Sequence, residues 1–303
     1  MDHKKKGVKS EGETATICNV FVVGIDGSEG SHHAVELVVT NFYRPGLDKI
    51  ILVHIQNLKK EHEKGVQYHS KTIFNKYSEY VEELKVKKDD YEFIFEDRKE
   101  NENVFEQIND IAVEKNATLL VLGFRGYKGT KNRPDELSKS VTYLVHKPKI
   151  PVLVVKEKSG RQFRPKSQFK WLICLESAES KSFKALKSML RYVDADNDII
   201  HGLTVTGEYV DLVDCPVKKA FVEQMQLYEI KHFKFNAIKK GEKSDVVTEL
   251  IAKWIGDHLS DDNHYIDFVV LGYNPSKYAF NKDAPNTTVE MLRNVVCNVY
   301  FDH

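Results

Sequence analysis

The chain has few of the residues that carry metal or redox chemistry. Its 303 residues include four cysteines, none of which forms a C-x-x-C pair or stands near a histidine in a zinc-binding pattern. Cys18, Cys174 and Cys297 fall in or beside apolar stretches, so we interpret them as buried free thiols. Free thiols are typical of the reducing cytosol, and the sequence predicts a cytoplasmic protein without a metal centre.

Long apolar runs and an excess of one charge are also missing. The longest apolar stretches, such as 150–155, are far shorter than the roughly 18 residues that a membrane-spanning helix needs. The 45 basic residues balance the 45 acidic ones, so no net field attracts the whole molecule to polyanions. We therefore expect a soluble protein that binds neither membranes nor nucleic acid. The first 16 residues lack the apolar stretch of a secretory signal, and we expect them to form a flexible arm.

What the chain does contain is an internal repeat. A strand pattern that ends in an acid, at 22–26, is followed 97 positions later by the apolar run and glycine of 119–123. A second such pattern, at 172–176, is followed 96 positions later by 268–272. In each copy, short β-rich runs alternate with amphipathic ones, which indicates βαβ units. The repeat predicts two α/β domains, each a doubly wound, mainly parallel five-stranded sheet flanked by helices.

The predicted organisation follows from this repeat and from a polar, glycine-containing linker. It consists of a flexible arm at 1–16, a first domain at 17–157, the linker at 158–168 and a second domain at 169–303. The predicted strands lie near 19–25, 49–56, 91–96, 118–122, 151–155, 170–176, 198–205, 231–237, 266–271 and 297–301. The predicted helices lie near 29–42, 68–86, 102–115, 139–146, 179–192, 216–229, 245–258 and 287–294.

Two turns of the first copy contain residues suited to an anionic ligand. Asp26 ends the first strand and leads through small residues into a helix, and 123–129 form a glycine-rich turn after the fourth strand. Both lie at carboxyl ends of strands, where open α/β sheets bind ligands. Ordinary βα turns are the alternative interpretation, and His54 is more consistent with a strand-edge residue than with a catalyst. Rossmann and P-loop fingerprints are absent from the sequence.

These residues resemble the universal stress protein family. The resemblance covers nearly all of 18–156 in order and persists beyond 169 only in the succession of strands and helices. The chain therefore resembles a tandem member with a degenerate second copy, and the implied fold is that of the adenine nucleotide alpha hydrolases. The matching segments are 23–29 with Ser31 and Ala34, 52–55, 121–126, Ser140 with Val141, and 151–155.

The resemblance implies an adenine nucleotide site in the first copy, binding ATP with or without Mg²⁺. Family members that bind ATP use a Gly-x2-Gly-x9-Gly-Ser/Thr motif. Here 12 residues separate Gly126 from Lys139, and Lys139 replaces the third glycine. Its side chain either blocks the close approach of phosphate to the backbone or supplies positive charge. The implied site residues are Gly24, Ile25, Asp26, Ile55, Leu122, Gly123, Gly126, Lys139, Ser140 and Val141.

The second copy keeps little of this motif. Its acid is Glu176, Pro275 and Ser276 stand where the second glycine is expected, and Thr288 alone matches the Ser/Thr position. We therefore expect a nucleotide-binding sensor or regulator of stress responses with little or no catalysis. The alternative is a ligand-free interaction protein. The resemblance also implies pairing of the two copies through their last strands, as a tandem pseudo-dimer, and allows a homodimer.

Overall fold

The computed structural model divides the chain into two compact units. One is Ile17–Gly160, and the other contains Arg161–His303; we call them the first and second unit. The residues that the structure describes are 18–56, 69–100, 102–124, 148–156, 160–177, 179–207, 212–241, 246–259, 265–272, 287–295 and 297–302.

The described strands of the first unit form a parallel sheet in the order β3-β2-β1-β4-β5. The strands are β1 Val20–Gly24, β2 Lys49–Gln56, β3 Tyr91–Asp97, β4 Leu119–Gly123 and β5 Val152–Val155. Its described α-helices are α1 Glu29–Leu37, α2 Ser70–Glu83 and α3 Val104–Glu114.

The described strands of the second unit form the same pattern, in the order β8-β7-β6-β9-β10, again with parallel pairing throughout. The predicted α/β fold is therefore confirmed. The strands are β6 Lys170–Cys174, β7 Ile199–Thr206, β8 His232–Lys239, β9 Phe268–Gly272 and β10 Asn298–Asp302. Its described α-helices are α4 Lys181–Met189, α5 Pro216–Leu227, α6 Val247–Leu259 and α7 Thr287–Asn294.

Helices cover both faces of the first sheet, which explains why its central strands are continuous apolar runs. On one face, Phe74 of α2 packs against Phe93 and Phe95 of β3, with ring centroids 5.0 and 5.9 Å away. On the other face, Glu92 of β3 accepts a 2.7 Å hydrogen bond from Lys115, which follows α3. Because neighbouring strand residues point to opposite faces, α2 and α3 lie on opposite sides of the sheet.

A buried carboxylate anchors the first strand in each unit. Asp48 accepts the N–H of the residue before β1 at 2.8 Å and pairs with the guanidinium of Arg44. Asp198 accepts the N–H of the residue before β6 at 3.0 Å and pairs with Arg161. Both carboxylate side chains are fully buried, so each depends on these donors for its stability.

A glycine at the end of the fourth strand lets a helix approach closely in each unit. A Cβ added to Gly123 would lie 2.4 Å from the carbonyl carbon of Gly30 in α1. A Cβ added to Gly272 would lie 2.2 Å from the backbone nitrogen of Ser182 in α4. Packing against the helix that follows the first strand of each unit therefore requires glycine at both positions, with or without a ligand.

Three expectations need correction or stay open. The helix predicted over 29–42 is α-helical only to Leu37 and continues as a wider π-helical turn, Val38–Phe42. The interpretation of Cys18 as buried is wrong: it precedes β1 and is exposed, and Cys174 is only half-buried. The helix predicted over 139–146 lies outside the described residues. Within the described ranges, no helix is long and apolar enough to cross a membrane.

Candidate functional site

The first sheet brings three of the predicted site segments to one edge. β2 and β3 lie on one side of β1, and β4 and β5 lie on the other. The boundary between β1 and β4 is therefore the topological switch point, where open α/β sheets bind ligands. Asp26 follows β1, Ile55 lies at the end of β2, and Gly123 ends β4, so all three occupy the carboxyl edge around this point.

The turn after β1 holds the carboxylate of Asp26 in a fixed position. Its Oδ1 accepts hydrogen bonds from the backbone N–H of Ser28 at 3.0 Å and from the Ser28 hydroxyl at 2.5 Å. Gly27 between them has φ +80°, a conformation that favours glycine. Asp26 and Ser28 are half-buried, so the turn remains accessible at the edge of the sheet.

Helix α1 begins directly behind this turn. Ser28 is its N-cap and accepts a hydrogen bond from the N–H of Ser31 at 3.3 Å. The Ser31 hydroxyl donates to the Ser28 carbonyl at 2.9 Å, which stiffens the first turn. The N-terminus of a helix carries a positive partial charge, so this turn places a carboxylate and a centre of positive potential side by side. Such a pair suits a ligand with both hydroxyl and phosphate groups.

His54 of β2 holds the end of β1 from the other side. Its Nδ1 lies 2.8 Å from the carbonyl oxygen of Ile25. Because a carbonyl oxygen only accepts, Nδ1 carries the proton and donates. The ring is 5% exposed, so His54 supports the backbone that leads into Asp26. This arrangement agrees with the interpretation of His54 as a strand residue and gives it a supporting role that the sequence analysis did not identify.

Several predicted site residues belong to the core. Ile25 and Leu122 are each 3% exposed and Ile55 is 8% exposed. A Cβ added to Gly24 would lie 2.5 Å from Cδ2 of Leu122, so packing across β1 and β4 already requires a glycine at that position. Packing therefore accounts for Gly24 beside Leu122 without a ligand. Among the predicted site residues that the structure describes, only Asp26 and Gly123 are half-exposed.

The second half of the predicted motif lies outside the described residues. It comprises Gly126, Lys139, Ser140 and Val141, which would contact the phosphates. Their role in binding stays a prediction.

Tyr77 in α2 also supports the turn, although it is not among the predicted site residues. Its hydroxyl lies 2.8 Å from the Ser31 Oγ beneath the Asp26 turn, and its side chain is fully buried. Burial, with a smaller contribution from the Asp26 carboxylate, raises the pKa of Tyr77 well above its usual range, so the hydroxyl keeps its proton. The spacing of Ile73, Tyr77 and Val81 was the available signal, because a hydroxyl within a buried helical stripe needs a partner.

The corresponding turn of the second unit keeps one backbone bond but presents its acid differently. The Glu176 N–H donates to the Ser182 Oγ at 3.3 Å, as the Asp26 N–H does to the Ser31 Oγ at 3.4 Å, but Glu176 is exposed. The predicted remnant Thr288 is buried in α7, whereas Pro275 and Ser276 lie outside the described residues. No group of three or more His, Cys, Asp or Glu side chains that could hold a metal ion occurs in the described parts of the chain.

Comparisons with known proteins match one part of the chain to a family. Residues 19–156 match the model of the universal stress protein family. No curated protein sequence matches the chain at a significant level.

Several solved structures match nearly the whole chain, among them the following three. A universal stress protein from Archaeoglobus fulgidus DSM 4304 is 16% identical, with 93% of this chain and 97% of that chain covered and a TM-score of 0.61. A functionally unknown protein from Pseudomonas aeruginosa PAO1 is 10% identical, with coverages of 93% and 92% and a TM-score of 0.61. The cytoplasmic domain of a prokaryotic cation chloride cotransporter is 9% identical, with coverages of 94% and 94% and a TM-score of 0.50. At these identities the matches establish the fold alone.

Proposed function

Because residues 19–156 match the model of the universal stress protein family, we propose that the first unit binds an adenine nucleotide at the carboxyl edge of its sheet. The nucleotide is ATP, with or without Mg²⁺, and the protein acts as a sensor or regulator of stress responses. The observation that carries the proposal is the Asp26 turn. It places an accessible carboxylate and the start of α1 at the switch point of the sheet.

Each part of the proposed site has a role that fits its chemistry. The Asp26 carboxylate accepts hydrogen bonds from ribose hydroxyls or coordinates Mg²⁺. Ile55 contacts the adenine from the end of β2. The phosphates extend toward Gly123 and the start of α1, where backbone N–H groups favour an anion. Lys139 and Ser140 complete the phosphate contacts.

The described residues favour binding without rapid hydrolysis. His54 Nδ1 donates to a backbone carbonyl, and the Tyr77 hydroxyl keeps its proton at neutral pH. A general base needs an acceptor positioned on the attacking water. Asp26 is bonded to Ser28 and is better placed to hold a ligand than to activate water. The protein therefore releases ATP largely unchanged.

Isothermal titration with ATP and Mg²⁺ tests this proposal. Asp26→Asn keeps the size of the side chain but removes its charge, and we expect an affinity loss of roughly tenfold or more. Glu176→Gln is the matched control in the second unit and leaves the affinity unchanged. Absence of heat with the wild-type protein, or an equal loss in both variants, would refute the proposal.

A ligand-free interaction protein is the second candidate function. The observation that favours it is that Gly24 and Gly123 are already required by packing, as Gly272 is in the second unit. Under this hypothesis Lys139 has closed the site, and the last strands of the two units pair with each other or with a second chain. An ATP affinity that appears only in Lys139→Gly would support it over nucleotide binding by the natural protein.

A further inference from the structure

A chain of hydroxyl groups links the candidate site to the interior of the first unit. The Ser28 hydroxyl donates to Asp26 Oδ1, and the Ser31 hydroxyl donates to the Ser28 carbonyl. The Asp26 N–H points to the Ser31 Oγ at 3.4 Å, and the Tyr77 hydroxyl lies 2.8 Å from the same atom. Ser31 is therefore the point where the Asp26 turn and helix α2 meet.

The direction of these bonds can be assigned by counting protons. A serine hydroxyl has one hydrogen and two acceptor positions. Ser31 gives its hydrogen to the Ser28 carbonyl, so in the bond with Tyr77 it accepts and the tyrosine donates. The Tyr77 side chain is fully buried and Ser31 is 3% exposed, so water does not compete with this bond. Tyr77 thereby fixes the oxygen that holds the turn.

The second unit provides an internal comparison for this tyrosine. Helices α2 and α5 end alike: Lys85 has φ +58° and Glu229 has φ +55°. Tyr77 and Phe221 each precede these residues by eight positions, and both are fully buried. The equivalent of Tyr77 in the second unit therefore has no hydroxyl. Its absence coincides with an acid, Glu176, that is exposed rather than half-buried.

We propose that Tyr77 is a positioning residue of the nucleotide site, which sets the Asp26 turn through Ser31 and so couples the packing of α2 to nucleotide affinity. The inference rests on the proposed function. A movement of α2 that breaks the Tyr77–Ser31 bond loosens the Asp26 turn and releases the ligand. The site is thus regulated through the packing of helix α2.

The test uses Tyr77→Phe with Tyr300→Phe as its matched control. Tyr300 is 1% exposed and bonds the Ser188 hydroxyl at 2.7 Å, so the control removes the same kind of buried bond in the second unit. We expect Tyr77→Phe to weaken ATP binding three- to tenfold and to speed amide exchange at Asp26 by roughly the same factor. Tyr300→Phe changes neither quantity.

The outcomes separate this inference from the proposed function. Unchanged ATP affinity and unchanged Asp26 exchange in Tyr77→Phe overturn the role of Tyr77 while leaving nucleotide binding intact. A wild-type protein that does not bind ATP overturns both, even if Asp26 exchange responds. Equal affinity losses in Tyr77→Phe and Tyr300→Phe would indicate general destabilisation and also overturn the inference. Ser31→Ala serves as a second variant, and adding Tyr77→Phe to it should cause no further loss of affinity.

Discussion

The turn after β1 and the turn after β6 share their supports but differ in the groups they present. Both follow a strand whose beginning is held by a buried aspartate, and behind both turns a helix packs against the glycine that ends the fourth strand. The first turn holds a half-buried Asp26 above Tyr77, whereas the second has an exposed Glu176, with Phe221 at the position equivalent to Tyr77. The shared features therefore maintain the fold, and the different ones identify the candidate site.

The same division applies to the second strand of each sheet. The backbone N–H of Ile25 donates to Val53, and that of Leu175 donates to Leu203, so His54 and Thr204 are equivalent. His54 donates to the carbonyl at the end of β1. A threonine side chain is shorter and has no ring nitrogen. In the first unit, His54 and Tyr77 therefore support the turn that contains Asp26.

The largest expected effect concerns a shared feature, the buried aspartates. Asp198→Ala leaves the guanidinium of Arg161 buried without its main partner, and Asp48→Ala does the same to Arg44. We expect each to lower the free energy of unfolding by about 3–5 kcal/mol. Urea denaturation followed by circular dichroism measures the loss. A large effect in one unit and none in the other would show that the two anchors are not equivalent.

Glycine replacement tests the second shared feature. Gly123→Ala and Gly272→Ala place a Cβ within 2.4 Å and 2.2 Å of the helix backbone, which cannot move as a flexible side chain would. We expect a destabilisation of about 3 kcal/mol in each case. Thermal unfolding provides the measurement. A stable Gly123→Ala protein that loses only ATP binding would instead assign this glycine to the ligand.

The pH dependence of stability should differ between the units. Burial raises the pKa of Asp267, the residue before β9, to about 6, although the charge of Arg164 lowers it. In the first unit the equivalent residue before β4 is Thr118, which does not titrate. Between about pH 4 and 6 the folded state then binds more protons than the unfolded state. Stability therefore decreases as the pH rises through this range, by on the order of 2 kcal/mol.

Denaturation at several pH values checks the sign of this dependence. Asp267→Asn should flatten it, although the overall stability also falls because the ion pair with Arg164 is lost. If the free energy of unfolding rose between pH 4 and 6, and Asp267→Asn removed that rise, the result would contradict the raised pKa of Asp267.

The smallest expected effect concerns the helix cap of the first turn. Ser28 accepts from the Ser31 N–H, whereas the N-cap of α4, Ser180, has no side-chain cap bond. Ser28→Ala should cost about 1 kcal/mol of stability, and Ser180→Ala clearly less. Comparison of the two unfolding midpoints checks the difference. Equal losses would mean that the two turns hold their helices in the same way.

Most of the fold followed from the sequence because strand spacing and apolar alternation are local signals. The ten predicted strands agree with the observed ones to within two residues at each end. The α-helix predicted over 29–42 ends at Leu37 and is followed by a π-helical turn. The sequence did not reveal this end because the apolar pattern continues through the turn.

The supports of the site could not be predicted because they depend on contacts far apart in sequence. Tyr77 meets Ser31 across 46 positions, and His54 meets Ile25 across 29. A family resemblance identifies Asp26 as a candidate but assigns Gly24 and Gly123 to the ligand, although packing alone already requires them.

The central claim is that the first unit binds a nucleotide and the second does not. Equilibrium dialysis of the full chain with labelled ATP and Mg²⁺ at saturation tests it most directly, with Asp26→Asn measured alongside. The account predicts one ATP per chain and, at the same ATP concentration, a much lower occupancy in Asp26→Asn. Two ATP per chain, or none, would contradict it.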